Sequence, residues 1–220
     1  MKTLFAKMKV FFKGITVSAK VTVIVLIIIL VNTVSIGILS YVIHRNDSIQ
    51  ASKDKAMAIA KSAAMSVPPD EFLDALETGV QNGHYEHLQK QFVKVKADEN
   101  LLYFYAGAFY PDGIIDVKTG GLLVNDNGEK IVMRVYMEGG DPRFPLGAPI
   151  REGMFYYEYP SNSGASKQVA FDAFNLNKTV VSDIYGFNVA EGTLSGVAAY
   201  SPILGADGNP AGLVGVLMPV

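Results

Sequence analysis

Val21 to Ile43 is a run of 23 residues without one charged side chain, and it decides what the rest of the chain can be. At about 1.5 Å of rise per residue, a helix of this length reaches roughly 35 Å, enough to cross a hydrocarbon core of about 30 Å. The residues before it carry Lys2, Lys7, Lys9, Lys13 and Lys20 and no acid at all. Lysine enrichment on one flank holds that flank in the cytoplasm. The expected layout is a basic cytoplasmic N-terminus over 1–20, a transmembrane helix over 21–43 and an extracytoplasmic domain over 44–220. This is a single pass of the inner or plasma membrane. A cleaved signal peptide has a shorter apolar core, about 7–15 residues, and small residues at its cleavage site. Tyr41-Val42-Ile43-His44-Arg45 offers no such pattern, so the segment reads as an uncleaved anchor. Asn32 is costly to leave facing lipid. Its amide pairs with nearby Thr and Ser, or with a second copy of the helix at the small pair Thr33 and Gly37.

Beyond the span, 44–220 has room for one well-packed domain but hardly for two. It carries all 21 acidic residues and only 14 of the 19 basic ones. That balance argues against nucleic acid, whose binding needs clustered Lys and Arg to displace counterions. The chain has no cysteine, which excludes disulfides, zinc thiolate sites and thiol nucleophiles. An outer domain of this size must then be held by its core alone.

The first part of that domain reads as helix. Ile49, Ala56, Ala60, Ala63 and Val67 recur at near-helical spacing and give Asn46–Ser66 one small-residue face, continuous with the membrane span. Pro68-Pro69 ends it, because a residue before proline is pushed out of the α region. A short helix is expected over Asp70–Thr78 with Gly79 as its stop, and a third over His84–Glu99. From residue 101 the period changes. Leu101–Tyr110 is apolar on both alternating sets, as a strand buried on both faces would be. Glu129–Glu138, Gln168–Phe174, Thr179–Tyr185, Leu194–Leu204 and Ala211–Met218 are further strand candidates. Asp112-Gly113, Asn127-Gly128 and Asp207-Gly208 supply the positive φ angles of tight hairpins and favour antiparallel neighbours. The expected fold is α+β. The N-terminal transmembrane helix runs into a long helix laid across one face of a mostly antiparallel sheet, and loops and short helices cover the other face.

Tyr200-Ser201-Pro202-Ile203, the turn at Asp207-Gly208 and Ala211-Gly212-Leu213-Val214-Gly215-Val216 together resemble the closing hairpin of Cache domains. These are the extracytoplasmic PAS-like sensors of bacterial chemoreceptors, histidine kinases, cyclases and phosphatases. Leu102-Tyr103-Phe104-Tyr105 is similar to their first strand. Tyr136-Met137-Glu138-Gly139-Gly140-Asp141-Pro142 with Pro145-Leu146-Gly147 resembles the segment after their second strand. Val181-Ser182-Asp183-Ile184-Tyr185 resembles the approach to the final hairpin. The likeness covers roughly residues 45–220 and is to a single Cache domain. It departs from the family at Met137, where an Asp is frequent. Members as a rule continue into a second span and a cytoplasmic output module, so the resemblance implies the front part of a longer receptor or a separate output partner. It also implies a homodimer paired along 46–66.

No catalytic set emerges from the residues. His84, Glu86 and His87 lack the HExxH spacing and a third ligand, and read as a solvated helix start rather than a metal site. Gly192-Thr193-Leu194-Ser195-Gly196 does not have the spacing of a serine nucleophile elbow. The expectation is no enzyme activity within these residues, no metal and no cofactor. Ligand binding is the better-supported activity. Arg134 stands mid-strand on the face of Tyr136, where a guanidinium meets either an acid of the protein or a ligand carboxylate. Tyr103 and Tyr105 share a strand face, and a tyrosine joins apolar area to a hydroxyl. Asp172, Asp183, Tyr185 and Ser195 lie in or beside the later strands, where related sensors complete their pocket. The resulting candidate site takes an amino acid, an amine or a carboxylate. A membrane-tethered module that binds a partner protein and no metabolite is the alternative, and an anchored hydrolase is the weakest reading.

Overall fold

The computed structural model describes residues 16–78, 83–115, 119–124, 128, 130–138, 155–156, 164–189 and 192–220, with backbone alone for 74–78, 83–85, 133–138, 155–156, 164–167, 187–189 and 192. Two compact units divide the chain, Met1–Ser48 and Ile49–Val220. Helix α1, Val17–Ser66, belongs to both. Its apolar stretch is long enough to cross a membrane, and no part of that stretch is buried. Helices α2 (Pro69–Thr78) and α3 (Gly83–Asp98) follow, with acidic residues in the first turn of each, where they suit the helix dipole. Among the described residues no strand precedes β1 at Tyr103–Phe109.

The sheet is antiparallel throughout. It comprises β1, β2 (Met133–Glu138), β3 (Phe155–Tyr156), β4 (Val180–Val181), β5 (Tyr185–Val189), β6 (Gly192–Leu204) and β7 (Pro210–Pro219). The order is β3-β2-β1-β7-β6-β4, with β5 also paired to β6. This is the expected α+β arrangement, a long N-terminal helix followed by an antiparallel sheet. β7 is the middle of the sheet and is buried from Gly212 to Met218. The β6–β7 hairpin turns at Asp207-Gly208, with Gly208 at φ 78°, while Gly113 at φ 99° and Gly128 at φ 77° serve the other two predicted turns. Isolated bridges Ile115↔Leu122 and Val124↔Lys130 continue the meander between β1 and β2.

Each face of the sheet has its own apolar layer. On one face lie Ala56, Ala60, Ala63, Ala64 and Val67 of α1 and its end, Phe72 of α2, and Leu88 and Phe92 of α3. They pack on Phe104, Ala106, Val197, Ala199, Ile203, Val214 and Val216. The alanine stripe lets the backbone of α1 approach the strands closely, so the small-residue face is used within the domain itself. α2 and α3 share this face rather than covering the opposite one as expected. Phe92 stacks on Phe104 with ring centroids 4.2 Å apart.

The opposite face is covered by helix α4, Gly164–Asn175. The sequence reading made Gln168–Phe174 a strand, and the structure corrects it. Val169, Ala170 and Ala173 are the buried positions, spaced one and four residues from the first as on a helical face. Seven residues were too few to show that period. The helix ends as α3 does, on an asparagine in the left-handed region, Asn177 at φ 50° and Asn100 at φ 52°. The next amide closes back over the last turn, Lys178 N to Ala173 O at 3.2 Å and Leu101 N to Lys96 O at 2.9 Å. Thr179–Tyr185, expected as one strand, is interrupted at Ser182–Ile184. There the Ser182 hydroxyl accepts the Ala198 N–H at 2.9 Å and donates to the Asp183 carbonyl at 2.6 Å, giving the chain a local alternative to the ladder.

Candidate functional site

β7 contributes a glycine where its neighbours contribute rings. Gly215 pairs in register with Tyr105 of β1 on one side and Tyr200 of β6 on the other. A Cβ at Gly215 would lie 2.6 Å from Cζ of Tyr105 and 2.8 Å from its hydroxyl, so the ring occupies the space that glycine leaves. The two rings meet edge to face, centroids 6.4 Å apart and planes at 67°. Their hydroxyls are 2.8 Å from each other in a fully buried position. Tyr105 is 4 % exposed and Tyr200 1 %, so this is a polar pair placed inside an apolar layer.

Aromatic side chains continue around it. Phe109 of β1 meets Phe171 of α4 at 5.0 Å and 83°, and Phe174 at 5.1 Å. Val169, Ala170 and Ala173 of α4 and Leu213 and Leu217 of β7 close the layer, with Tyr103 and Tyr185 half-buried against it. The Lys96 ammonium lies 5.8 Å from the Tyr103 ring centre, within cation–π range. A phenol both donates and accepts hydrogen bonds while presenting apolar rings, so this layer suits a small solute with a polar end and an apolar body.

The predicted site residues divide into groups. Tyr103, Tyr105 and Tyr185 come together on the α4 side of the sheet. Asp172 is on α4 rather than in a strand, half-buried, and accepts the Gln168 side-chain amide at 2.8 Å one turn earlier. Asp183 is not in this layer. It takes the Lys53 ammonium of α1 at 2.7 Å, with its own side chain 95 % exposed. Ser195 is exposed on β6, opposite Gly186, and its carbonyl accepts the Val220 N–H at 3.0 Å. Arg134 pairs through the backbone with Ala108 and Phe155, so it is not on an edge strand. The side chains of Arg134 and Tyr136 lie outside the described residues, as does the segment with Gly139-Gly140-Asp141-Pro142. Tyr200, Phe171 and Phe174 were not singled out. An isolated strand glycine such as Gly215 marks a close approach, but it does not say which ring makes it.

The Lys53 hydrogen bond and charge hold the Asp183 carboxyl below the usual carboxylate range. A depressed folded-state pKa gives stability that is full above the unfolded value, about 3.9, and that fades as pH falls through the folded value. Asp183→Asn is therefore expected to lower the melting temperature slightly at pH 7, and the gap should close as pH falls through the depressed folded-state value. High salt should shrink it too, because the pair is exposed. Melting curves of both proteins across pH check this.

The fold and site thus define an α+β domain with an aromatic layer under α4, behind an apolar helix. No known family pattern matches the chain, and no curated protein matches it. Among solved structures it is similar to a light-oxygen-voltage domain studied with a flavin analogue, at 12 % identity over 59 % of this chain and 84 % of that one, TM-score 0.34. It is also similar to methyl-accepting chemotaxis protein X, at 14 % identity over 80 % of this chain and 63 % of that one, TM-score 0.33. A third likeness is to the periplasmic sensory domain of the Campylobacter jejuni chemoreceptor Tlp1, at 12 % identity over 77 % and 61 %, TM-score 0.30. At these identities and scores the likenesses carry no argument about what this chain does.

Proposed function

We propose that the chain is the membrane anchor and extracytoplasmic sensor domain of a bacterial signal-transduction receptor, of the single Cache type. A small solute of the amino acid, amine or carboxylate class binds on the α4 side of the sheet. The buried Tyr105–Tyr200 hydroxyl pair carries this reading. Burying polar groups in an apolar layer costs stability unless they are hydrogen-bonded, and a pair of phenols can serve a ligand's polar end as well as each other. The apolar helix is long enough to serve as the anchor, and the five lysines before its apolar stretch support an outward-facing domain. The site gathers phenols and apolar rings, which suit recognition rather than turnover. A solute held between β1, β6 and α4 biases the arrangement of the sheet only by its differential affinity for the two states.

The test is a thermal-shift screen of the full chain in lipid nanodiscs against amino acids, amines and organic acids. One class should raise the melting temperature, and the shift should fall at least severalfold in Tyr105→Phe and Tyr200→Phe. A screen without a stabilising solute, or a shift indifferent to both substitutions, would reject the reading.

A further inference from the structure

We infer that the domain has a second ligand site, on the α1 side of the sheet, for a small amphipathic anion with an apolar body and a carboxylate end. It goes beyond the tyrosine site and does not depend on it. A groove of about 740 Å3 runs between the end of α1 and the β4–β6 edge, lined by Met57, Lys61, Met65, Lys178, Pro202 and Leu204 among others. That volume falls within the roughly 300–1,000 Å3 typical of small-molecule sites. Met65 is 80 % exposed and Leu204 43 %, so apolar side chains are held open to water here rather than folded inward.

The charge on the groove has one sign. Lys61 lines it from α1 and Lys178 from the α4–β4 turn, and among the described residues no acid lines it. Among the described residues neither lysine has an ion pair; the pairs formed are Lys53–Asp183 and Lys55–Glu99. Asp207, in the nearby hairpin turn, is turned onto its own loop. It accepts the Asn209 backbone N–H at 3.0 Å and the Asn209 side-chain amide at 2.7 Å. The lining is polar at Asn177 and where the Thr179 and Ser201 hydroxyls meet at 2.9 Å. An added peptide strand is a poor occupant. Among the described residues the β4-side edge of β6 has no strand partner from Ser201 to Leu204, and Pro202 offers no N–H there. A largely apolar lining that holds two cations instead fits a short organic carboxylate.

Methyl-13C methionine NMR of the full chain in nanodiscs reads this directly. Of the chain's 8 methionines, Met57 and Met65 line the groove. Titration with 4-phenylbutyrate should shift these two methyls saturably, with affinity about tenfold above that for 4-phenylbutanol and 4-phenylbutylammonium. Lys61→Gln with Lys178→Gln should cost about tenfold while leaving the other methyl signals in place. Equal affinity for the alcohol or the ammonium would overturn the proposal, as would unchanged binding in the double variant or silence at Met57 and Met65. Shifts that depend on copies per disc, without added carboxylate, would make the groove a contact between chains and overturn it equally. Tyr200→Phe should leave this titration unchanged, which separates its failure from failure of the tyrosine site.

Discussion

Phe72→Ala is expected to destabilise the domain by about 3–5 kcal/mol, the range for removing a fully buried phenylalanine. Phe72 is 1 % exposed and, among the described side chains of α2, is the one in the core shared with α1 and α3. Its ring lies over Gly212 of β7, where a Cβ would come within 2.8 Å of ring atoms Cε1 and Cζ. Removal leaves a cavity over a strand held on both sides by β1 and β6, so the sheet cannot collapse into it. Gly212→Ala attacks the same contact from the strand. Its new methyl would also stand 2.6 Å from the Gly107 carbonyl oxygen, a backbone atom that a rotamer change cannot clear. The combination of both substitutions should cost less than the sum, because Phe72→Ala removes the ring half of the clash. The cost that remains for Gly212→Ala then reports the Gly107 contact. Thermal unfolding of the four proteins in detergent or nanodiscs measures this. A Phe72→Ala cost under about 1 kcal/mol would show that α2 is not seated as described.

These two glycines also show where the sequence was legible. The helices before residue 101, the doubly buried β1, the hairpin turns and the alanine face of α1 all follow from local period, proline and glycine positions. Gly113, Gly128 and Gly208 could be read as turns because each sits beside Asp or Asn. Gly212 and Gly215 could not be read as seats for rings, because the ring comes from another element: Phe72 lies 140 residues away, and Tyr105 lies 110. The error at α4 has a similar cause. A short amphipathic helix and a short alternating strand share too many apolar positions, and only the Asn177 stop distinguishes this one. At the site, Tyr103 and Tyr105 were legible from alternation on one strand, and Tyr185 entered through resemblance. Asp183 went astray for a physical reason. The Ser182 hydroxyl bonds to the Asp183 carbonyl and to the Ala198 N–H of β6 where the strand is interrupted, and Lys53 offers a partner on the α1 side.

Gly215→Ala should cost about 1–3 kcal/mol, the usual range for overpacking, and should do so by displacing Tyr105. The nearest atoms to the new methyl would be Cζ at 2.6 Å and Cε2 and the hydroxyl at 2.8 Å, all at the far end of one side chain. Tyr105 can answer by rotating, but rotation breaks the buried 2.8 Å bond to Tyr200. The substitution therefore tests whether the glycine exists to build the hydroxyl pair. In a Tyr105→Ala background these three contacts are gone, and Gly215→Ala should cost far less. The coupling between the two positions should then reach about 1–3 kcal/mol with the sign of mutual rescue. Additive costs in unfolding measurements would mean that the methyl is resisted by the β1 and β6 backbones rather than by the ring. Tyr105 would then be a core side chain that happens to lie over a glycine, and the aromatic layer would lose its claim to be a prepared site.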